Sequence, residues 1–414
     1  MRQLYSLLLW LLLPGLLIWL WLRRDQRPTL AQRLGFYSSA EPAFYWVHAA
    51  SVGEVLAARP LIEAMLQRFP QRSIVVTTFT RTGADFVASS FGARVQHAYL
   101  PIDLGPMIGQ FLRKFQPRCA IFLETELWPN MLASLQRRGI KTMIANGRIS
   151  PATARRYQQF SALFAPLLAK LDVVAVQSNA DATSYQLLGV PASRLAVLGN
   201  LKYDLQLPAN TDEVAKDLRQ QWRGRQVLLA ASTRDGEEAA LLELYPRLRQ
   251  RFPQLLLVLV PRHPQRFESV AALVLDAGLS LCRRSEASPV PCQQDVFLGD
   301  TLGELPGFYA AADVIFIGGS LAPLGGHNPL EAAAVGKAVL VGEHTFNFAE
   351  VYVRLEQQDA VRRATGLIEL AQLFEQQLAN PHLVSQMGER ARQVMVENRG
   401  GVNQTLARIA QLTP

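Results

Sequence analysis

The chain has 414 residues, 49% hydrophobic and 18% charged, which is enough for two or three domains with substantial cores. Its net charge of +8 is uneven: residues 1–207 hold 22 Lys and Arg against 11 Asp and Glu, and the remainder holds 20 against 23. The scattered cysteines Cys119, Cys282 and Cys292 form neither a disulfide framework nor a zinc pattern, which fits a reducing compartment.

The basic half of the chain indicates a negatively charged partner. Basic surface attracts either nucleic acid or anionic lipid headgroups. The sequence contains no helix-turn-helix, zinc-finger or RRM signature. An apolar segment directly precedes the basic residues, so the pattern favours anionic membrane lipids and no nucleic acid.

The N-terminal segment 1–22 is predicted to be a membrane anchor helix. Leu4–Leu22 carries no charge, and an apolar helix of about 20 residues crosses the hydrocarbon layer of a bilayer. Pro14-Gly15 predicts a kink, and no small-residue cleavage site follows, which argues against a cleaved signal peptide. The positive-inside rule places the body in the cytoplasm, because one arginine precedes the segment and four follow it: Arg2, then Arg23, Arg24, Arg27 and Arg33.

Beyond the anchor, short β-rich runs alternate with helical segments, a pattern typical of a parallel, doubly wound α/β sheet. The strands are predicted at 44–50, 73–79, 95–100, 119–123, 141–145, 172–177 and 196–199, and then at 226–231, 255–260, 295–298, 313–317 and 338–341. We predict two Rossmann-like domains with a cleft between them. Their bounds are 23–206 and 216–385, with a polar linker at 207–215 and a helical tail at 386–414.

Candidate catalytic residues follow the predicted strands, because ligands of such sheets bind at the carboxyl ends of strands. Ser51-Val52-Gly53-Glu54 follows the first strand, where Glu54 can act as a general base. The same spacing is that of a capping box, and the residues alone favour the cap. Glu124 and Glu126 follow the fourth strand beside an aromatic residue. Lys202 follows the last strand of the first series and is predicted at the mouth of the cleft.

The second half offers candidates for binding a phosphate. Ser232 is predicted at the start of a helix. Pro261 and Pro264 bracket Arg262 and His263, and an arginine in such a turn suits a bidentate grip on phosphate. An ion pair with a neighbouring carboxylate is the alternative for this arginine. The joint at Leu302-Gly303-Glu304 presents backbone amides that can contact a base edge.

The glycine-rich segment from Gly318 to Glu331 is predicted to bind a nucleotide-sugar. Glycines let the backbone approach a ligand, and free N–H groups at a helix start suit a phosphate. Asn328 is predicted as N-cap and Pro329 as the first helical residue. Glu331 either contacts sugar hydroxyls or only complements the helix dipole, and the residues leave these two alternatives open. Gly326, His327 and Leu330 complete the candidate segment.

The sequence lacks the motifs of several other classes. It has no G-x-G-x-x-G and no P-loop, which excludes the common dinucleotide and triphosphate sites. It has no D-x-D and no histidine spacing typical of metal ligands, so no metal and no cofactor are predicted. These absences favour a nucleotide-sugar site at the glycine-rich turn, without a metal ion.

The ordered set of motifs closely resembles the 3-deoxy-D-manno-octulosonic acid (Kdo) transferases of lipid A synthesis, and the likeness covers nearly the whole chain. It rests on the anchor and on SVGE at 51–54, ETELWPN at 124–130, GNLKYD at 199–204, LVPRHP at 259–264, GDTLGEL at 299–305 and GGHNPLE at 325–331. The resemblance implies a GT-B fold, CMP-Kdo as donor and a tetra-acylated, bisphosphorylated lipid A precursor as acceptor. Transfer would be inverting and independent of metal.

Residue roles follow from this resemblance. It implies that Glu54 is the general base, which reverses the preference for a simple cap, and that Glu124 and Lys202 stabilise the transition state. The segments implied to bind CMP are Pro261-Arg262, Leu302 to Glu304 and Asn328 to Glu331. Two alternatives stay open: another membrane-associated GT-B transferase that uses a UDP-sugar, and a non-catalytic, membrane-tethered nucleotide-binding protein.

Overall fold

A computed structural model describes residues 1–23, 26–38, 40–286 and 292–414, and these residues divide into two units. The N-terminal unit comprises Met1–Asp204 and Asn398–Pro414, and the C-terminal unit comprises Leu205–Glu397. The strands are β1 Tyr45–His48, β2 Ile74–Thr78, β3 Gln96–Tyr99, β4 Cys119–Leu123, β5 Lys141–Gly147, β6 Val173–Val176, β7 Leu195–Val197, β8 Gln226–Thr233, β9 Leu255–Pro261, β10 Leu281–Arg283, β11 Val296–Leu298, β12 Val314–Ile317, β13 Val339–Val341 and β14 Val361–Arg363.

The helices lie between these strands and at both ends of the chain. They are α1 Arg2–Leu22, α2 Leu30–Arg33, α3 Val52–Arg68, α4 Arg81–Phe91, α5 Gly105–Phe115, α6 Pro129–Arg137, α7 Pro151–Gln158, α8 Ser161–Leu168, α9 Asn179–Leu187, α10 Thr211–Gln221, α11 Glu237–Arg251, α12 Phe267–Asp276, α13 Leu305–Ala311, α14 Leu330–Ala334, α15 Ala349–Gln357, α16 Leu367–Ala379, α17 Pro381–Asn398 and α18 Gly401–Leu412.

The N-terminal unit is a parallel sheet of order β3-β2-β1-β4-β5-β6-β7, whose strand order reverses at the β1–β4 pair. Both faces of the sheet are covered. Trp46 packs into the core on one face, whereas its neighbours Tyr45 and Val47 pack into the core on the other. Strands buried on both faces need continuous apolar runs rather than alternation, and the sequence supplies them.

The C-terminal unit is a second parallel sheet, of order β10-β11-β9-β8-β12-β13-β14. Its core lies between the sheet and helices that include α11, α12 and α16. The doubly wound α/β architecture predicted from the alternation is therefore confirmed in both units. The two edge strands β10 and β14 were not predicted, because each has three residues and contains arginine.

Three other sequence-based assignments differ from the structure. Helix α10 begins at Thr211, inside the stretch 207–215 predicted as linker. The helical tail predicted at 386–414 is divided, because α17 begins at Pro381 in the C-terminal unit and α18 belongs to the N-terminal unit. Ser232 lies within strand β8 rather than at a helix start, and the next helix begins at Glu237.

Helix α1 is the one candidate membrane span within the described residues: it has 21 residues and a mean hydropathy of 2.0. The helix continues through Pro14. Of the basic residues that follow it, Arg24 lies outside the described residues, and Arg33 is buried, with 1% of its surface exposed. The Arg33 guanidinium donates to Thr29 Oγ1 and to the Phe79 carbonyl. Arg33 therefore stabilises the fold and is not part of a lipid-facing basic cluster.

Candidate active site

Three carboxylates of the N-terminal unit lie at the carboxyl ends of the paired strands β1 and β4. Glu54 is in the first turn of α3, directly after β1, and Glu124 and Glu126 follow β4. The negative charges of Glu124 and Glu126 act on Glu54. The structure thus brings together three residues that the sequence assigned to two separate motifs, and it does so at the point where the strand order reverses.

Glu54 caps its helix as the spacing predicted. Its Oε2 accepts a hydrogen bond from the Ala50 N–H at 2.8 Å, and its Oε1 lies 3.3 Å from the Ser51 hydroxyl. Ser51 is the N-cap residue and accepts from the Glu54 N–H at 3.5 Å. A Cβ at Gly53 would contact only the Ser51 oxygen, at 3.8 Å, so packing does not require glycine there.

The environment of Glu54 also suits a general base. Burial raises the pKa of Glu54 to about 7, and the charges of Glu126 and Glu124 act in the same direction. The hydrogen bonds from Ala50 and Ser51 oppose this increase without cancelling it. Catalytic bases work best with a pKa near the operating pH, because they are then both deprotonated and basic enough. The same side chain therefore caps its helix and has the environment that a general base requires.

Glu124 has a strained backbone. Its φ of +57° lies in the left-handed region, which residues other than glycine rarely adopt. Its N–H donates to the Ala145 carbonyl, and its carbonyl accepts from the Tyr185 hydroxyl at 3.2 Å. This conformation brings Glu124 Oε1 to 3.8 Å from Lys202 Nζ. Backbone strain of this kind is typical of residues held for function.

Lys202 is positioned by its own motif. It lies in a short 3₁₀ turn after β7, where its N–H donates to Asn200 Oδ1 at 3.0 Å. Asp204, at the end of the same turn, accepts from the N–H groups of Gly400 and Val402 at 2.7 and 2.8 Å. The motif therefore places an ammonium group beside Glu124 and fixes the start of α18.

Glu126 is held by one ring nitrogen and lies near a second. The Trp128 indole donates to Glu126 Oε2 at 2.8 Å, and His48 Nε2 lies 3.6 Å from the same oxygen. His48 is fully buried, and its Nδ1 contacts Thr77 Oγ1 at 2.9 Å. The sequence did not connect these residues, because Thr77 and His48 lie on different strands and Glu126 follows a third.

The glycine-rich turn of the C-terminal unit differs from the prediction, because its amides are not free. Buried Glu237 accepts from the N–H groups of Gly319, Ser320 and Leu321 at 2.7–3.0 Å, and from that of Arg234 at 2.9 Å. A carboxylate of the protein thus occupies the donors expected to bind phosphate. No sequence pattern distinguishes Glu237 from its acidic neighbours.

The segment Asn328 to Glu331 begins its helix one residue later than predicted. Helix α14 starts at Leu330, with Pro329 at the N-cap position, and Asn328 Oδ1 accepts from the Leu330 N–H at 3.0 Å. Glu331 lies in the first turn. Because α14 has only five residues, its dipole contributes little to phosphate binding.

His327 lies beside this segment and is partly buried. Burial, together with nearby arginines that include Arg262, lowers the pKa of His327 to about 4. Its carbonyl accepts from the Tyr352 hydroxyl at 2.7 Å. The preceding Gly326 has φ of +69° and donates its N–H to the carbonyl of Gly319. The turn is therefore closed by its own backbone.

Arg262 follows Pro261, the last residue of β9, and has an exposed side chain. Within the described residues it takes part in no ion pair, whereas its neighbour Arg266 grips Glu238 with two nitrogens and also contacts Asp235. The carboxylates in this region are thus paired with Arg266. This arrangement favours the phosphate-binding interpretation of Arg262 over a structural ion pair.

Two more candidates lie close to Arg262. His263 Nε2 is hydrogen-bonded to the Arg234 guanidinium, and burial together with the neighbouring arginines lowers the pKa of His263. Ser232 has a φ of +56° near the end of β8. Like Glu124 in the other unit, Ser232 is a non-glycine residue in the left-handed region at the carboxyl end of a strand.

The joint at Leu302 to Glu304 can contact a ligand through backbone groups, because the Glu304 carboxylate is already paired. Arg284 binds both carboxylate oxygens of Glu304, at 2.7 and 3.0 Å, and the Thr301 hydroxyl also donates to it, so the pKa of Glu304 is lowered. Leu302 is exposed and Gly303 has φ of +84°. The contacts left for a ligand at this joint are therefore backbone groups and the Leu302 side chain.

The acidic and histidine side chains of these sites do not form a metal centre. No group of three or more His, Cys, Asp or Glu side chains suited to hold a metal ion occurs among residues 1–23, 26–38, 40–286 and 292–414. The cationic groups of the sites are Lys202 in the N-terminal unit, and Arg234 and Arg262 in the C-terminal unit.

The sequence and the fold match known proteins. Residues 28–205 match the family model described as 3-deoxy-D-manno-octulosonic-acid transferase. A 3-deoxy-D-manno-octulosonic acid transferase of Haemophilus influenzae is 39% identical over 92% of this chain and 90% of its own length. One from Bordetella pertussis is 38% identical over 98% of both chains.

The solved structure of a glycosyltransferase from Rickettsia africae, 14% identical, aligns with a TM-score of 0.55 over 91% of this chain and 99% of its own. This likeness shows the fold alone, and it confirms the predicted GT-B class. The identity of 38–39% to two such enzymes over more than nine-tenths of this chain, with the match to the family model, shows the family: this chain belongs to the 3-deoxy-D-manno-octulosonic acid (Kdo) transferase family of glycosyltransferases.

Proposed function

We propose that the protein transfers Kdo from CMP-Kdo to the tetra-acylated, bisphosphorylated lipid A precursor, with inversion at the anomeric carbon and without a metal or other cofactor. The observation that carries the proposal is the position of Glu54, a partly buried carboxyl group in the first turn of α3, at the strand ends that Glu124 and Glu126 also follow. This setting raises the pKa of Glu54 to about 7. Family membership supports Kdo as the transferred sugar.

In the proposed reaction Glu54 removes the proton from the acceptor hydroxyl while the oxygen of that hydroxyl forms a bond to the anomeric carbon of Kdo. The bond from that carbon to the phosphate oxygen of CMP breaks at the same time, so positive charge develops on the sugar and negative charge on the phosphate. Glu124 balances the sugar's positive charge or orients the base. Lys202 stabilises the transition state, and Arg262 stabilises the departing phosphate.

The basic N-terminal half supports the proposed location and acceptor. A cytoplasmic body attached to the inner membrane by α1 would meet anionic lipids and the two phosphates of the acceptor. Arg33 is excluded from this role by its burial. Surface arginines and lysines elsewhere in residues 1–207 remain to attract both partners.

The direct test is to incubate the full-length protein with CMP-Kdo and the lipid A precursor and to weigh the product by mass spectrometry. The expected result is a mass increase of one Kdo residue or a multiple of it. Matched reactions with UDP-sugars test the alternative donor class, and transfer from a UDP-sugar in place of CMP-Kdo would overturn the proposal.

Replacing Arg262 with Ala is expected to weaken CMP binding by about 1.5–3 kcal/mol, the range for hydrogen bonds to charged groups. It should also slow transfer, because the phosphate gains charge as the bond breaks. Calorimetry with CMP measures the first effect. Arg251→Ala, which removes an arginine that pairs with Glu375 on the surface, is the control. Equal CMP affinity in the Arg262 variant and the control would contradict the assignment.

Saturating EDTA is expected to leave the rate of transfer unchanged. The proposed mechanism neutralises the leaving phosphate with the Arg262 guanidinium, so it needs no divalent cation. The measurement is the initial rate with and without chelator, followed by addition of Mg²⁺ or Mn²⁺. Loss of activity with EDTA and recovery with either ion would contradict the proposed chemistry.

A further inference from the structure

Helix α1 is docked along its length on the folded part of the N-terminal unit. Near its start, the Tyr5 hydroxyl donates to Asp103 Oδ2 at 3.0 Å and the Ser6 hydroxyl donates to Asn130 Oδ1 at 3.1 Å. In its middle, Leu13 packs with residues of the segment 104–107. The contacts thus follow one stripe of the helix, formed by Tyr5, Ser6, Leu9, Leu13, Leu17 and Leu20.

The residues that contact this stripe are themselves buried in the N-terminal unit. Asp103 is buried and accepts from the N–H groups of Asn130 and Met131, at the start of α6. Leu104 and Met107 form an apolar cluster with Leu13, and Leu9, Leu17, Leu34 and Ile102 pack against it. Two hydrogen bonds and an apolar seam therefore hold α1 against the sheet domain.

The opposite stripe of α1 is apolar and faces away from the unit. At 100° per residue this stripe lies about half a turn from the docked one. Its members are large apolar side chains that are exposed, and Leu11 is 70% exposed. They are Leu4, Leu8, Leu11, Ile18 and Leu22. A continuous apolar strip of this length on a folded unit marks an interaction surface.

A transverse orientation of α1 conflicts with these contacts. Tyr5 and Leu20 are separated by about 22 Å along the helix axis, most of the hydrocarbon thickness of about 30 Å. If α1 crossed the bilayer, the start of α6, which contacts the N-terminal end of α1, would have to lie near the periplasmic face of the membrane. The sheet on which α6 packs would have to stay on the cytoplasmic side. The irregular backbone around Asp103 would also enter lipid, where unpaired backbone groups are not tolerated.

We infer that α1 lies in the plane of the membrane interface, with its outer stripe immersed in the cytoplasmic leaflet, rather than spanning the bilayer. This refines the membrane attachment given under the proposed function. Basic and aromatic side chains of α1 and its flanks fit anionic headgroups. The Arg23 and Arg27 guanidinium groups lie over the rings of Trp19 and Trp21, at 4.3 and 4.2 Å from the ring centres.

The other end of α1 repeats this pairing of charge with apolar surface. A cavity of about 420 Å³ lies between α1 and α6 and is lined by Arg2 and Arg137 together with Leu7 and Trp10. Two cations beside an apolar wall complement an anionic headgroup with its acyl chain. Both ends of the helix therefore present interfacial chemistry on the same folded unit.

The native tryptophans of α1 provide the test. Trp10 and Trp21 lie about 20° apart around the helix and ~17 Å apart along it, and both are exposed. The full-length protein and its Trp10→Phe and Trp21→Phe variants are bound to vesicles of phosphatidylethanolamine and phosphatidylglycerol, with bromine placed at different depths of the acyl chain. The difference in emission between the unaltered protein and each variant is the emission of the replaced tryptophan, and its decrease with bromine at each depth gives the quenching of that residue.

In-plane binding predicts equal, shallow quenching of Trp10 and Trp21. A spanning helix predicts Trp10 near the midplane and Trp21 near a headgroup region, and that result would overturn the inference. Quenching of neither residue would also overturn it, because α1 would then not enter the bilayer. Trp222 is buried in the C-terminal unit, so its emission should not be quenched by brominated lipid. The Trp222→Phe variant measures that emission and is the control. The experiment measures the depth of the tryptophans and not transfer activity. A failure of this inference can therefore be distinguished from a failure of the proposed transfer function.

Discussion

Replacing Glu54 with Gln is expected to slow transfer by about 10²–10⁴-fold, the usual effect of losing a general base. Glutamine keeps the shape of the side chain and its oxygen still accepts from the Ala50 N–H, so the capping interaction survives. Initial rates with saturating CMP-Kdo and acceptor measure the loss, and CMP binding should stay close to that of the unaltered protein.

The matched control for Glu54→Gln is Ser51→Ala, which removes the N-cap hydroxyl and leaves the carboxylate. Losing an N-cap typically costs about 1 kcal/mol of stability, so this variant should melt at a lower temperature while it retains far more activity than Glu54→Gln. If Glu54→Gln retained activity within a few-fold of the original protein, Glu54 would be a cap alone.

The pH profile gives an independent reading of the same residue. Burial and the nearby carboxylates raise the pKa of Glu54 to about 7, and only the deprotonated form can accept a proton. We therefore expect kcat/KM to increase about tenfold per pH unit below 7 and to level off above it. The increase should be absent from the residual activity of Glu54→Gln. A profile that is flat between pH 5 and 7 would contradict the assignment.

Replacing Glu237 with Gln is expected to lower the free energy of unfolding of the C-terminal unit by about 2–6 kcal/mol. Each carboxylate oxygen accepts from two backbone N–H groups. The glutamine amide nitrogen would replace one of these oxygens and could not accept, so two backbone N–H groups would lose their partner. Each such buried donor costs roughly 1–3 kcal/mol of stability. Denaturant unfolding measures the loss, and CMP affinity should fall with it because the turn next to Asn328 loses its support.

Glu243→Gln is the control for Glu237→Gln, because Glu243 lies on the same helix with an exposed side chain. It should change the unfolding free energy by less than about 0.5 kcal/mol, as surface substitutions usually do. Equal stability of the two variants would show that the buried carboxylate does not organise the glycine-rich turn.

The sequence predicted the parallel α/β architecture and the segments that carry the candidate residues, because buried strands and strand-to-helix joints have strong local patterns. It missed β10 and β14, since a three-residue edge strand with arginine has no such pattern. Spatial partners were also hidden. Glu237 and Glu238 are adjacent acids, yet one holds backbone amides and the other holds Arg266.

Two predictions from the sequence were wrong: that Arg33 belongs to a lipid-facing basic cluster, and that the amides of the glycine-rich turn are free to bind phosphate. Both errors have one physical cause: charge pattern and glycine content describe what a segment can do alone, whereas burial and pairing depend on residues far along the chain. Arg33 is paired with the carbonyl of Phe79, 46 residues away, and the amides of Gly319 and Ser320 with a carboxylate more than 80 residues away.

The return of α18 to the N-terminal unit affects the order in which the protein is made. Val402 and Ile409 pack in the core of that unit, and Asp204 binds the start of α18. The N-terminal unit therefore lacks part of its core until α18 is synthesised, whereas the inserted C-terminal unit is complete earlier. Domains usually fold in the order of their synthesis, but here the domain that begins first is finished last.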